Sequence, residues 1–286
     1  MLKIIRQTRV SRSWYGDSLV TLMLLAVGCF MALPLVYATV QAMKPLNELF
    51  IFPPRFFVSH PTFSNFKILF SLTSQLWVPI TRYLFNSIFV SIIVTVGAVL
   101  LSSMAAYPLS KHKFVGKKTL FQIVMLALLF TGETMAIPQY VVMAKLGIVN
   151  TYLALIMPPL ASTLGLFLMK QFMDNLPDSL LESARLDGAS ELRIWWSIVM
   201  PNVKPAWLTL AILGFQSIWN STGGSMIYSE QLKMLPSAFG QIAAGGIART
   251  GAAAAAALIM MIPPIVAFVI TQSNIIQTMS HSGIKD

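Results

Sequence analysis

The chain has 286 residues, of which 56% are hydrophobic and only 10% charged, and its mean hydropathy is +0.72. So little charge does not cover a soluble domain, and the apolar residues fall in runs of the length, ~20 residues, that a bilayer core demands of a helix. A closed barrel would alternate in short segments and is excluded, while the net charge of +10 reads as loop charge of a membrane protein rather than as a nucleic-acid surface.

The expected fold is all-α, a single polytopic membrane domain over 1–286 with six transmembrane helices and one polar cytoplasmic segment. The first span, 18–40, follows Lys3, Arg6, Arg9 and Arg12. No small-residue cleavage site separates it from later polar sequence, so it reads as a retained helix rather than a signal peptide. Cys29, the single cysteine, sits inside this span; it rules out an intramolecular disulfide or a cysteine metal cluster and reads as a small packing residue. The second span is expected at 85–109, the third at 119–141 and the fourth at 151–172. The fifth covers 205–220 and the sixth 251–271. Pro34, Pro138, Pro158–Pro159 and Pro263–Pro264 each remove a backbone donor within a span, which neighbouring helices or water must offset. The sixth span opens "GAAAAAALIMMIPP", whose small residues let a helix approach its neighbour closely. His60, His112 and His281 show no ligand spacing, so no metal site is expected.

Charge sets the orientation. With a cytoplasmic N-terminus, the inner segments hold Lys3, Arg6, Arg9, Arg12, Lys111, Lys113, Lys117, Lys118, Lys170, Arg185, Arg193, Lys204 and Lys285, which is 13 of the 20 basic residues. The positive-inside rule then places both termini in the cytoplasm.

The polar block between spans four and five, 177–201, also falls on that side. Pro177 suits the start of a helix, and Ser179 with Glu182 has capping-box spacing. A helix is expected from Asp178 to Asp187. Gly188 supplies the positive-φ turn after it. Ser190 caps a second helix running through Trp195 and Trp196 to Pro201. Ser183, Ala184, Gly188 and Ala189 make a small-residue surface that a partner's groove can accept. Glu182, Arg185 and Asp187 offer charge beside it, Leu181 and Leu186 apolar contact. The two tryptophans suit the membrane interface. An interfacial re-entry loop without a partner fits the same residue types.

Glu133 is the conspicuous charge within a span. A carboxylate there faces the bundle interior or a cavity, as a path or gate residue, or reaches the outer interface if the span bends at Gly132. Asn86, Ser87, Gln139, Gln216, Trp219 and Asn220 are the other candidates for a substrate path. Amides and hydroxyls match the hydroxyls of a polar solute and aromatic faces stack on rings, but the same residue types also form interhelical hydrogen bonds.

The spacing Glu-Ala-Ala, three residues, Gly, nine residues, Ile, one residue, Leu-Pro is met by Glu182, Ser183, Ala184, Gly188, Ile198, Met200 and Pro201. In this the chain resembles the permease subunits of ATP-binding-cassette importers. "MKPLNELFIFPPRFF", "PTFSNFKILF", "FNSIFVS", "AAYPLSKHKFVGKK", "LGIVNTY", "SIWN" and "SGIKD" extend the resemblance to the MalG-like permeases of maltose-type carbohydrate importers; Pro108 departs from it. The resemblance implies an alternating-access permease subunit in the bacterial cytoplasmic membrane. It also implies a second permease, an ATPase dimer, an extracytoplasmic solute-binding protein and no nucleic acid. Glu182, Ser183, Ala184, Asp187, Gly188, Ala189, Ile198 and Pro201 would then form the coupling helices that dock on the ATPase. The external segment 221–235, with Gly223 and Gly224 as a flexible start and Tyr228, Glu230 and Lys233 as polar contacts, would meet the binding protein. The tail His281–Asp286 would reach the ATPase.

The chain has no G-x-x-x-x-G-K-[ST] phosphate loop. Its nearest string, "KHKFVGKKT", reads as a basic loop. It is therefore expected to bind no cofactor, with ATP and Mg held by the partner ATPase. A permease for another solute, such as a polyol phosphate, needs basic residues along the path, and none stand out. A self-contained channel or secondary carrier would need no nucleotide-binding partner.

Overall fold

The computed structural model describes residues 14–282 apart from positions 54 and 131, with side chains at 14, 133 and 273–282 also outside the description. In chain order the helices are α1 (Trp14–Met43), α2 (Leu46–Leu49), α3 (Ser64–Ser74), α4 (Ile80–Lys111), α5 (Lys117–Ala127), α6 (Gly132–Lys145), α7 (Tyr152–Leu160), α8 (Thr163–Asp174), α9 (Asp178–Leu186) and α10 (Glu191–Ile194). A π-helical turn (Trp195–Val199) leads into α11 (Met200–Asn202), α12 (Lys204–Trp219), α13 (Leu235–Ala243) and α14 (Thr250–Ser282). Among the described residues there is no β-strand.

Four stretches are long and apolar enough to cross a bilayer, namely Tyr15–Met43, Ile80–Lys111, Tyr152–Asp174 and Ile247–Gln272. Glu191–Asn202 and Lys204–Trp219 together form a further candidate bent by 80°. The expected third span, 119–141, is two helices. The amides of Leu129 and Phe130 turn back to the carbonyls of Leu126 and Ala127, three residues earlier, which tightens and ends α5. The chain resumes as a helix at Gly132, beside Glu133. The fourth span is also interrupted, between Leu160 and Thr163, where the Ser162 side chain accepts from the Gly165 amide and caps α8. Pro34, Pro108 and Pro263–Pro264 lie inside continuous helices. The basic residues Lys3–Arg12 and the terminal 283–286 lie outside the described residues.

The scaffold is organised around α4, whose 32 residues make a rod of about 48 Å at helical rise. It packs against α7, α8, α12 and α13. One end of α4 enters a core of Tyr107, Met169, Met173, Leu181, Ile194 and Val199. The other enters a core of Leu69, Tyr83, Trp219, Phe239 and Ala255. Polar residues of α4 turn inward: Asn86, Ser87, Ser91, Ser102 and Ser103 are all buried, as polar groups in a lipid-facing bundle must be. The small-residue run of α14 behaves as expected. Ala252, Ala255 and Ala256 are buried, and a Cβ on Gly251 would lie 2.2 Å from the Asn65 Oδ1.

The same logic locks α8 onto α4. A Cβ on Gly165 would meet the Ser102 Oγ at 2.6 Å, Leu210 at 2.8 Å and the Ser162 Oγ at 2.9 Å. Gly165→Val should therefore destabilise the detergent-purified protein by about 1–3 kcal/mol through overpacking, read as a lower thermal midpoint. Gly28→Val, with nothing within 4 Å of its Cβ, should leave the midpoint in place; equal midpoints for both variants would contradict this packing.

Candidate functional site

Two regions gather the residues singled out in the sequence, one at each end of α4. At the first, α9 and α10 form the 177–201 segment. Pro177 occupies the position before α9 without a side-chain cap. Ser179 therefore lies inside the helix, where its carbonyl accepts from the Ser183 hydroxyl at 2.8 Å, and the expected Ser179–Glu182 capping box does not form. The far end of α9 follows its sequence. Gly188 adopts φ +78°, its amide donates to the Arg185 carbonyl, and the Ala189 amide donates to that of Ala184, each at 3.0 Å. This is a Schellman turn, which favours glycine. The Ser190 hydroxyl accepts from the Arg193 amide and caps α10.

The small-residue face differs in part from expectation. Ala184 is buried against the core, and Leu181 is 1% exposed. Ala189 and Ile198 are half-buried, whereas Glu182, Ser183, Asp187, Gly188 and Pro201 are open. Leu186 and Leu192 protrude, 90% and 65% exposed; Leu192 drew no attention in the sequence, where it is one apolar residue among many. Trp195 is buried and Trp196 exposed, so only the second is placed as an interfacial residue.

Arg185 is engaged within the chain. Its Nε donates to the Glu191 Oε1 at 2.8 Å, and this bond makes the guanidinium hold its proton more tightly than usual. Glu191 also receives the Tyr107 hydroxyl at 2.6 Å and lies 3.1 Å from the His112 Nε2. Beside it, the Lys111 Nζ donates to the Asp178 Oδ1 at 2.8 Å, and that hydrogen bond holds the Asp178 carboxyl below its ordinary value. The Ser110 hydroxyl donates to Asp174 at 2.7 Å. The last turn of α4 and the residue that follows it are thus tied to α8, α9 and α10 by four side chains, those of Tyr107, Ser110, Lys111 and His112.

At the other end of α4 the 221–234 loop is fastened just as firmly. Asn86 and Ser87, expected in the path, are fully buried. The Asn86 amide donates to the carbonyls of Gln231 and Lys233, each at 2.9 Å, and accepts the Tyr152 hydroxyl at 2.7 Å. The Ser87 hydroxyl accepts the Leu235 amide at 2.7 Å. Their polar atoms hold the loop, and both side chains are closed off from the surface. Trp219 is likewise structural: it is 2% exposed, and its Nε1 donates to the Met260 carbonyl at 3.0 Å. Asn150, at φ 61°, accepts the amides of Tyr228 and Ser229. Gly223 and Gly224, with φ of +80° and +54°, take the left-handed conformation that glycine favours.

Glu230 and Lys233 bond to each other at 2.6 Å, and Glu230 also receives Tyr83 at 2.8 Å and Gln241 at 2.7 Å. Burial pushes the Glu230 carboxyl up, but the hydrogen bonds of Lys233, Gln241 and Tyr83 together outweigh it and leave the carboxyl below its ordinary value. A depressed carboxyl stabilises the fold above its ordinary value and loses that contribution as the pH falls through the lowered one. The loop is therefore held throughout the neutral range, and Tyr228, 73% exposed, is its open side chain.

Against the 221–234 loop, Gln139 lines a groove of about 720 Å³ with Ser217, Ser221, Gly223, Pro158 and Met143. Ser217 and Ser221 were missed because isolated serines in a span carry no pattern. Gln216 and Asn220 are exposed nearby on α12, the Asn220 amide donating to the Gln216 carbonyl at 2.9 Å. The Glu133 side chain lies outside the description.

A polytopic helical bundle with an exposed helix-turn-helix fastened to a central span defines a helical membrane protein. The chain matches, over residues 14–281, the family described as the binding-protein-dependent transport system inner membrane component, and it belongs to that family. It is thus a membrane-embedded transport component. It is 34% identical to Protein LplC of Bacillus subtilis over 207 residues, which are 71% of this chain and 66% of that one. It is 27% identical to the arabinooligosaccharides transport system permease protein AraQ of Halalkalibacterium halodurans over 288 residues, covering 98% and 99% of the two. A chain of a bacterial ABC transporter involved in the import of the acidic polysaccharide alginate has the same fold, with a TM-score of 0.73 and 21% identity over 93% of this chain and 99% of that one.

The Glu191 cluster makes a graded prediction. Glu191→Ala leaves Arg185 and Tyr107 without their acceptor, and with the Glu191 side chain 47% exposed the loss should be about 1 kcal/mol. Glu191→Gln keeps an acceptor for Tyr107 and should lose less. Limited proteolysis across 186–190 should rank the chains alanine, glutamine, wild type from fastest to slowest; equal rates would show that the cluster does not hold the segment.

Proposed function

We propose that this chain is the permease subunit of a sugar or oligosaccharide importer, moving its solute inward by alternating access. The motive force comes from a separate ATPase dimer that holds ATP and Mg. A second permease completes the path, and an extracytoplasmic binding protein delivers the solute. The chain lies in the bacterial cytoplasmic membrane with both termini in the cytoplasm, an orientation supported by the basic residues around 111–118 and 185–204. The observation that carries the reading is the double attachment of α4. One end is bound to the exposed helix-turn-helix, the other to the 221–234 loop, so displacement of the first is passed to the second by a single rigid helix.

In this scheme the ATPase meets Glu182, Ser183, Asp187, Gly188 and the protruding Leu186, with Ala189, Ile198 and Pro201 at the margin. Ala184 supports that surface from beneath. Tyr228 and the Gly224 turn meet the binding protein, with Glu230 and Lys233 fixing their position. The solute passes the groove of Gln139, Ser217 and Ser221, near Gln216 and Asn220, with Glu133 assigned to its gate. The carbohydrate reading draws on the relative named for arabinooligosaccharides. No lysine or arginine lines the groove, which argues against a phosphorylated solute.

Two measurements test the assignment. Glu182→Ala and Gly188→Val should lower solute-stimulated ATPase activity of the assembled transporter while the chain still inserts. The valine is the more severe, since a left-handed β-branched residue costs about 1–2 kcal/mol. Normal stimulation in both variants would remove the segment from coupling. Replacing Met226–Lys233 with a Gly/Ser stretch of equal length should abolish stimulation by the loaded binding protein but spare the basal rate; unchanged stimulation would reduce the loop to a connector.

A further inference from the structure

In the basic turn "KHKFVGKKT", Lys111 and His112 fasten α9 and α10, and the residues that follow them build a pocket. A cavity of about 480 Å³ lies where the start of α5 faces α8, lined by Phe114, Lys117, Lys118, Thr119, Phe121 and Lys170 among others. We propose that this pocket binds the phosphate headgroup of an anionic phospholipid from the surrounding bilayer leaflet.

The charge of the pocket is not balanced by the fold. Three lysines line it, and the carboxylate beside them, Asp174, is already engaged by the Lys170 Nζ at 2.6 Å and the Ser110 hydroxyl at 2.7 Å. The Lys117 Nζ is held by the Ser110 and His112 carbonyls at 2.8 and 3.1 Å. These neutral acceptors fix the ammonium in place and leave its charge uncompensated. Lys118 is exposed. The first turn of α5 carries two lysines and no acidic residue, the reverse of what a helix N-terminus favours. An anion from outside the chain is what this arrangement lacks.

The surroundings select a lipid over a soluble anion. Phe114 and Val115 stand 41% and 102% exposed at the turn, and Leu120, Ile123 and Leu126 continue an exposed apolar strip along α5 at 49%, 56% and 60%. A phosphate seated among the ammonium groups would lay its acyl chains along this strip, while free phosphate makes no use of it. Basic pockets between helices at a membrane surface recognise anionic headgroups in this way. The Lys170 ammonium, 4.3 Å from the centroid of the Phe121 ring, is positioned by that ring at the inner wall.

The test uses the full chain purified in detergent with its co-purifying subunits, followed by native mass spectrometry during titration with phosphatidylglycerol, phosphatidylcholine or inorganic phosphate. Phosphatidylglycerol should be retained about ten-fold more strongly than phosphatidylcholine. Lys118→Glu should erase most of that preference, and Lys67→Gln, at the opposite end of the molecule, should keep it. Equal retention of the two lipids, or an undiminished preference in Lys118→Glu, overturns the proposal. Displacement of phosphatidylglycerol by an equal concentration of inorganic phosphate also overturns it, reassigning the pocket to a soluble anion.

Discussion

The Glu191 carboxylate is the constraint on which the arrangement of this permease turns. It stands at the first position of a four-residue helix and is bonded to Arg185 from the preceding helix and to Tyr107 from the central span, with His112 close by. A helix that short has almost no stability of its own. Its position is therefore set by these side chains, by the Ser190 cap and by the apolar contacts of Ile194 and Trp195. Because the bonds reach two other elements, the helix-turn-helix and the end of α4 form one body.

The bundle obeys a membrane version of the same rule. Spans surrounded by lipid gain little from apolar contact with one another, so small residues and inward polar groups decide how they meet. Gly165 against Ser102, Gly97 against Leu160 and Gly251 against Asn65 are points of close approach. Asn86 and Ser87 illustrate the polar half. They satisfy backbone groups of the 221–234 loop that would otherwise be buried without partners, which is a strict requirement away from water.

How far the sequence discloses this varies by residue. The apolar runs reveal an all-helical membrane chain, because bilayer thickness sets their length. Gly188 and Ser190 are legible because each performs a local task that few residues can, a left-handed turn and a helix cap. The break in the third run is hidden, since hydropathy continues through Leu126–Phe130 while the hydrogen bonds do not. Asn86, Ser87 and Trp219 mislead for a deeper reason: an amide, a hydroxyl or an indole in a span has the same chemistry whether its partner is a sugar or a carbonyl of the same chain. Tyr107 and Glu191 lie 84 positions apart, and nothing local to either announces the other.

The loop pinned by Asn86, Ser87 and Asn150 has a thermodynamic corollary. Fixing one residue's backbone costs about 1–2 kcal/mol of conformational entropy, and a free loop of this length would lose that repeatedly on meeting a partner. Here the loss is borne during folding. In the proposed scheme a binding protein landing on Tyr228 would meet a surface already shaped by the fold, so its affinity would be set by the contacts made rather than by the disorder suppressed. Recognition at that face would then be brief and selective together, as a carrier that arrives loaded, delivers and leaves requires.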